Sequence, residues 1–72
     1  MANLTKQEQA IVNQLTDFGP ETINGIQFTG IEVALIDLCN GAAAFGQWDT
    51  LLTAKSALVK MNPKAESIFS YV

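Results

Sequence analysis

The chain has no histidine, no arginine and a single cysteine, Cys39. Each absence removes a class of chemistry. One cysteine excludes an internal disulfide. Without histidine, no base is at hand to make that thiol a nucleophile, and no nitrogen and sulfur ligand set for zinc exists within one chain. The only basic residues are Lys6, Lys55, Lys60 and Lys64, spread out against seven Asp and Glu for a net charge of −3. Binding a phosphate backbone needs a positive footprint that displaces counterions, so nucleic acid is disfavoured as a partner, and an anionic membrane with it. The longest apolar-rich segment, residues 31–45, is interrupted by Glu32, Asp37 and Asn40 and is too short for a bilayer span. The first residues, MANLTKQEQ, lack the basic start and apolar run of a secretory signal. A cytosolic location is the expectation, and a free cysteine fits it. No phosphate-binding glycine loop, dinucleotide fingerprint or nucleophile elbow is present. Glu32 and Asp37 stand five residues apart and do not share a helix face well, which argues against a paired acid/base site. No enzyme, metal or cofactor is therefore expected.

A chain of 72 residues makes one domain, residues 1–72, with a marginal core, so tight helix packing or oligomerisation has to supply stability. Thr5-Lys6-Gln7-Glu8 matches a capping box, and a helix is expected from Lys6 to about Phe18, with Ile11, Leu15 and Phe18 as its apolar stripe. Gly19-Pro20 should stop it. In Glu21 to Phe28, Asn24-Gly25 is a turn signal between Ile23 and Ile26, but hairpin arms of two or three residues are not stable alone in water. A loop or short helical turn is the preferred expectation there. Thr29-Gly30-Ile31-Glu32 is a second capping box, with Phe28 and Val33 placed for a hydrophobic staple. The helix it opens should run to about Phe45. Its core face is Ile31, Leu35, Leu38, Ala42 and Phe45, with Glu32, Asp37 and Asn40 opposite. Val33, Ile36, Ala43 and Ala44 share that polar side, so the helix is apolar nearly all round and is expected to be buried on two sides. Gly46 ends it, Gln47 and Trp48 turn the corner, and Asp49 is placed to cap the next helix. There Leu51, Leu52, Ala54, Leu58, Val59 and Met61 should face inward, with Thr50, Thr53, Ser56 and Lys60 outward. Asn62-Pro63 closes it and opens a short last helix with a stripe of Ala65, Ile68, Phe69 and Val72. The expected fold is all-α: a small helical bundle of an N-terminal helix, a central antiparallel helical hairpin and a short C-terminal helix.

The spacing within Ile31–Pro63 resembles one tetratricopeptide repeat, a family that stacks 34-residue helix-turn-helix units. Leu35, Leu38 and Ala42 sit where the family's first helix packs. Gly46 falls at the corner, Trp48 two residues later, and Pro63 seventeen after Gly46. Cys39 occupies the small position of the first helix, Leu51 and Leu58 stand where the second helix usually has alanine, and Lys55 takes its aromatic position. A single unit is present, covering a little under half of the chain. The resemblance implies a groove face of Val33, Ile36, Asn40, Ala43 and Ala44. Asn40 matches the asparagine of family members that clamp a peptide carboxylate, but Ile36 stands where they have lysine, so an apolar groove is implied and a carboxylate clamp is not.

Those five residues, with Trp48 at the corner and Lys55 beside it, are the candidate partner-binding positions. Each has a plainer reading. The terminal helices could cover the face, Trp48 could pack the corner, and Lys55 could lay its stem on the core with its amine at the edge. Cys39 reads as an inert packing residue. The expected function is a non-enzymatic protein–protein interaction module, self-associating through the apolar helix face as a homo-oligomer or binding a different protein. The alternative is a small acidic inhibitor or sequestering protein, of the kind phages encode, that occupies a basic surface on its target.

Overall fold

The computed structural model describes residues 3–69. The chain is mostly helical, with a small two-stranded sheet. Its elements are α1 (Lys6–Asn13), β1 (Glu21–Ile23), β2 (Ile26–Phe28), α2 (Gly30–Ala44), α3 (Trp48–Met61) and a 3-10 helix (Pro63–Phe69). α2 and α3 make the largest contact, α1 and the 3-10 helix both pack on α3, and β2 packs on α2.

Both capping boxes form. The Thr5 amide donates to Glu8 Oε1 at 2.7 Å and the Glu8 amide returns to Thr5 Oγ1 at 3.1 Å. The same exchange joins Thr29 and Glu32 at 2.9 and 3.3 Å. These contacts satisfy amides that no helical carbonyl can reach. α1 is shorter than its apolar stripe suggests, ending at Asn13 instead of near Phe18. The last amides turn back to nearer carbonyls, Gln14 to Ile11 and Leu15 to Val12. Asp17 Oδ1 then accepts the Gly19 amide at 2.8 Å, a local turn that competes with helix continuation. Phe18 therefore lies outside the helix and is 56% exposed.

Residues 21–28 form a hairpin and not the loop or short helical turn expected from its short arms. Ile23 pairs with Ile26, Thr22 with Gln27 and Glu21 with Phe28. Asn24 and Gly25 take φ of 51° and 79°, the left-handed pair a two-residue hairpin turn needs. Such short arms persist because the hairpin is not alone. Phe28 is buried, Ile23 and Ile26 pack against the core, and Asn62 Nδ2 donates to the Gln27 carbonyl at 3.2 Å. The sheet also corrects the all-α expectation.

The core is Phe28, Leu35, Cys39, Ala42, Leu51, Ala54, Ala57, Leu58, Ala65 and Phe69. Alanines at the contact of α2 and α3 let the helix axes approach closely. Val33 is partly buried against this cluster. Several assignments of facing change. Phe45 is 82% exposed, because it lies past the last helical residue as the C-cap. Leu52 is 64% exposed, since Leu51 and Leu52 diverge by about 100° around the helix and Leu51 takes the core side. Glu32, expected outward, is buried by its capping role. Gly46, with φ of 69°, closes α2 in a Schellman turn: the Gln47 amide returns to Ala42 at 2.8 Å and the Gly46 amide to Ala43 at 3.3 Å. α3 then starts at Trp48 with Gln47 as its cap residue and no side-chain cap bond. Asp49 is thus not the cap; it sits in the first turn, where its charge faces the positive end of the helix dipole. Asn62 is extended before Pro63, and the last element is 3-10 instead of α. Of its stripe, Ala65 and Phe69 are buried and Ile68 is partly buried, while Val72 lies outside the described residues.

A long-range tie fixes α1. Lys60 Nζ donates to Glu8 Oε1 at 2.7 Å, and the Glu8 side chain is 5% exposed. Lys60, expected to point outward, is this clasp. Its hydrogen bond holds the Glu8 carboxyl down at about 2 from 4.5; the Ser56 side chain, the Thr5 amide and the Lys60 charge act the same way, and burial opposes them. The stabilisation is complete above pH 4.5 and is lost as pH falls towards 2. Lys60→Met should cost about 2 kcal/mol at pH 7, the range for a hydrogen bond to a buried charge. In chemical denaturation its deficit relative to the parent chain should shrink as pH drops from 5 to about 2.5; a constant deficit would assign the loss to packing.

A close approach fixes the entry to α2. A Cβ at Gly30 would collide with the Asp17 carboxylate and lie 2.7 Å from the Gly19 backbone nitrogen. Backbone cannot yield as a flexible side chain does, so Gly30→Ala should lower stability by about 1–3 kcal/mol in thermal melts despite alanine's better helix propensity. A melting temperature equal to or above the parent's would contradict this packing.

Candidate interaction surface

The five candidate positions of α2 differ in burial. Val33 and Ile36 are half-buried and touch the core cluster; Asn40, Ala43 and Ala44 are exposed. α1 and the 3-10 helix, which could have covered this face, are both on α3. Burial thus grades along the face, from partial near β2 to open at the corner.

The corner adds what the helix pattern did not. Beyond Ala43 and Ala44 come Phe45, 82% exposed, and Trp48, 61% exposed, held apart by the Gly46 turn. One turn further, Leu52 is 64% exposed on the same side of α3 as Trp48. Large apolar side chains this open, close together in sequence and at one end of a helix pair, are the usual mark of a recognition surface. Trp48 was among the expected partner-binding residues. Phe45 and Leu52 were not, because both were assigned to the core. The available signal was the Gly46 corner, which puts the residue before it past the helix end.

Lys55 is half-buried, with Nζ 5.3 Å from the centroid of the Phe69 ring. This is a cation–π contact that ties α3 to the 3-10 helix. Its amine is engaged within the chain.

The geometry offers little for covalent chemistry. Cys39 is buried in the α2–α3 contact, and burial raises its thiol to about 11 against a small opposing pull from the Lys55 charge. Among the described residues, no three of Cys, Asp and Glu converge as a metal-ligand set, and no helix is long and apolar enough to cross a membrane.

The thiol reagent 5,5′-dithiobis(2-nitrobenzoate) should react with Cys39 at pH 8 only as fast as the chain opens, and about as fast as free cysteine in denaturant. Prompt reaction of the folded protein would show that the α2–α3 contact is looser than its packing. Comparison with protein-family models, with curated proteins and with solved structures finds no match to this chain.

Proposed function

We propose that this chain is a non-enzymatic protein–protein interaction module whose contact surface is the outer face of α2 and the corner that follows it, with a second copy of the chain as the first partner. The observation that carries the reading is the corner itself: Phe45 and Trp48 stand largely in solvent beside the small side chains Ala43 and Ala44. Small residues let another backbone approach, and aromatic residues supply the area and rigidity typical of interface anchors. Burying such a surface returns about 25 cal/mol per Å² before the cost of association is subtracted. The α2–α3 pair, two helices of similar length joined through a glycine turn, supports the further reading that its geometry is that of a single tetratricopeptide-like unit with an apolar groove.

A second reading, an acidic inhibitor or sequestering protein that covers a basic surface, is favoured by Asp17, Glu21, Asp37, Asp49 and Glu66. All five are exposed, and none is in an ion pair among the described residues.

Light scattering on a size-exclusion column separates the two. Self-association through the corner should give a dimer or larger species that survives high salt. Phe45→Ser with Trp48→Ser should return it to monomer with helicity intact, since neither side chain is in the core. A monomer at all concentrations, unaltered by the double substitution, would remove self-association and leave the second reading.

A further inference from the structure

A groove runs between α1 and α3 and shares Leu52 with the corner. Ala10 and Ile11 of α1 and Asp49, Thr50, Leu52 and Thr53 of α3 line it around a volume of about 590 Å³. It exists because α1 is anchored at its first turn, where Glu8 meets Lys60, and is too short to cover the whole of α3. Leu52 is left 64% exposed as one apolar wall, and Ala10 and half-buried Ile11 form the other. Among the described residues Asp49 is the one ionisable side chain that lines the groove. The lysines that could neutralise it are committed elsewhere: Lys60 to Glu8, Lys55 to the Phe69 ring. Lys6 precedes Gln7, which also lines the groove, and makes no ion pair with Asp49.

We propose that this groove binds a cationic amphipathic helix of another protein. Its apolar side chains lie against Leu52, Ala10 and Ile11, and a lysine or arginine one turn away meets Asp49. Three observations choose this occupant over a second copy. The groove is walled by two helices, the shape that receives the apolar stripe of a third. Its charged group is a carboxylate without a partner. A two-fold contact between copies at this groove would set Asp49 against Asp49, whereas a cationic segment is attracted. The proposal rests on the reading of the chain as an interaction module but not on the aromatic pair Phe45 and Trp48, which do not line the groove, and the two fail separately.

The test uses Trp48, the only tryptophan of the chain, whose neighbour Asp49 is in the groove. A tryptophan-free synthetic leucine/lysine amphipathic helix is titrated against the full chain, with a leucine/glutamate helix of the same pattern as control. The leucine/lysine helix should change the Trp48 emission saturably, and more weakly as salt rises; the leucine/glutamate helix should not. Asp49→Lys should weaken binding by roughly tenfold or more, while Asp37→Lys, the same change of net charge on α2, should leave it within about twofold. Leu52→Ser should weaken it comparably without loss of helicity, since Leu52 is outside the core, and Phe45→Ser should leave it unchanged. Equal effects of the two aspartate substitutions would reduce the binding to general attraction and overturn the groove. So would no binding of the cationic helix, equal binding of the acidic one, or a dimer dissociated by Leu52→Ser but not by Phe45→Ser, which would make a second copy the occupant.

Discussion

The fold depends on two glutamates that each do two jobs. Glu8 and Glu32 close the capping boxes of α1 and α2, and they are the buried polar side chains of the chain's described part. Each also accepts from the far end of α3. Lys60 Nζ reaches Glu8 Oε1 at 2.7 Å, and Asn62 Nδ2 reaches Glu32 Oε1 at 3.5 Å while holding the Gln27 carbonyl of β2. The C-terminal end of α3 is therefore the post to which the starts of both earlier helices and the hairpin are tied. A carboxylate that caps a helix is already positioned by that helix, so little further ordering is needed to pair it with a distant donor. In so small a chain, with only Phe28, Leu35, Leu51, Leu58 and Phe69 as large side chains in its core cluster, such fixed polar ties decide where the outer elements sit.

α1 shows the consequence. None of its apolar side chains is fully buried; Ile11 and Val12 are half-buried, and its one buried residue is Glu8. Hydrophobic burial alone would let an eight-residue helix slide or rotate on α3. The Glu8–Lys60 pair sets its register, and that register leaves the groove beside Leu52 open.

What the sequence made legible follows the range of the interactions. Capping boxes, the Gly46 turn and the extended Asn62 before Pro63 are written in neighbouring residues, and they stand where periodicity and spacing put them. The hairpin was half legible: Asn24-Gly25 announced its turn, but its persistence depends on Asn62 and on burial of Phe28, neither of which lies within its own eight residues. The end of α1 was missed because Ile11, Leu15 and Phe18 keep helical spacing through a segment whose backbone is diverted by Asp17. Glu32 was placed outward on angle alone, since a wheel cannot show a glutamate folded back on its own cap. On α2 the helical wheel puts Asn40, Ala43 and Ala44 away from the core, and they are exposed, whereas Phe45 and Leu52, expected in the core, are exposed too. An apolar residue at a helix end, or the second of two adjacent leucines, has no periodic signal that separates core from interface.

The placement of these exposed residues has a physical logic. At its C-terminal end α3 is held by Lys60, Asn62 and the packing of the 3-10 helix. Its N-terminal end has no side-chain cap and presents Trp48, Asp49 and Leu52 to solvent. Substitutions at that end remove few contacts from the folded chain, so they can vary recognition with little effect on stability. The same residues at the other end would disturb a capping glutamate or the core. The fold thus concentrates its ties at one end of α3 and leaves Trp48 and Leu52 in solvent at the other, clear of the contacts that hold the protein together.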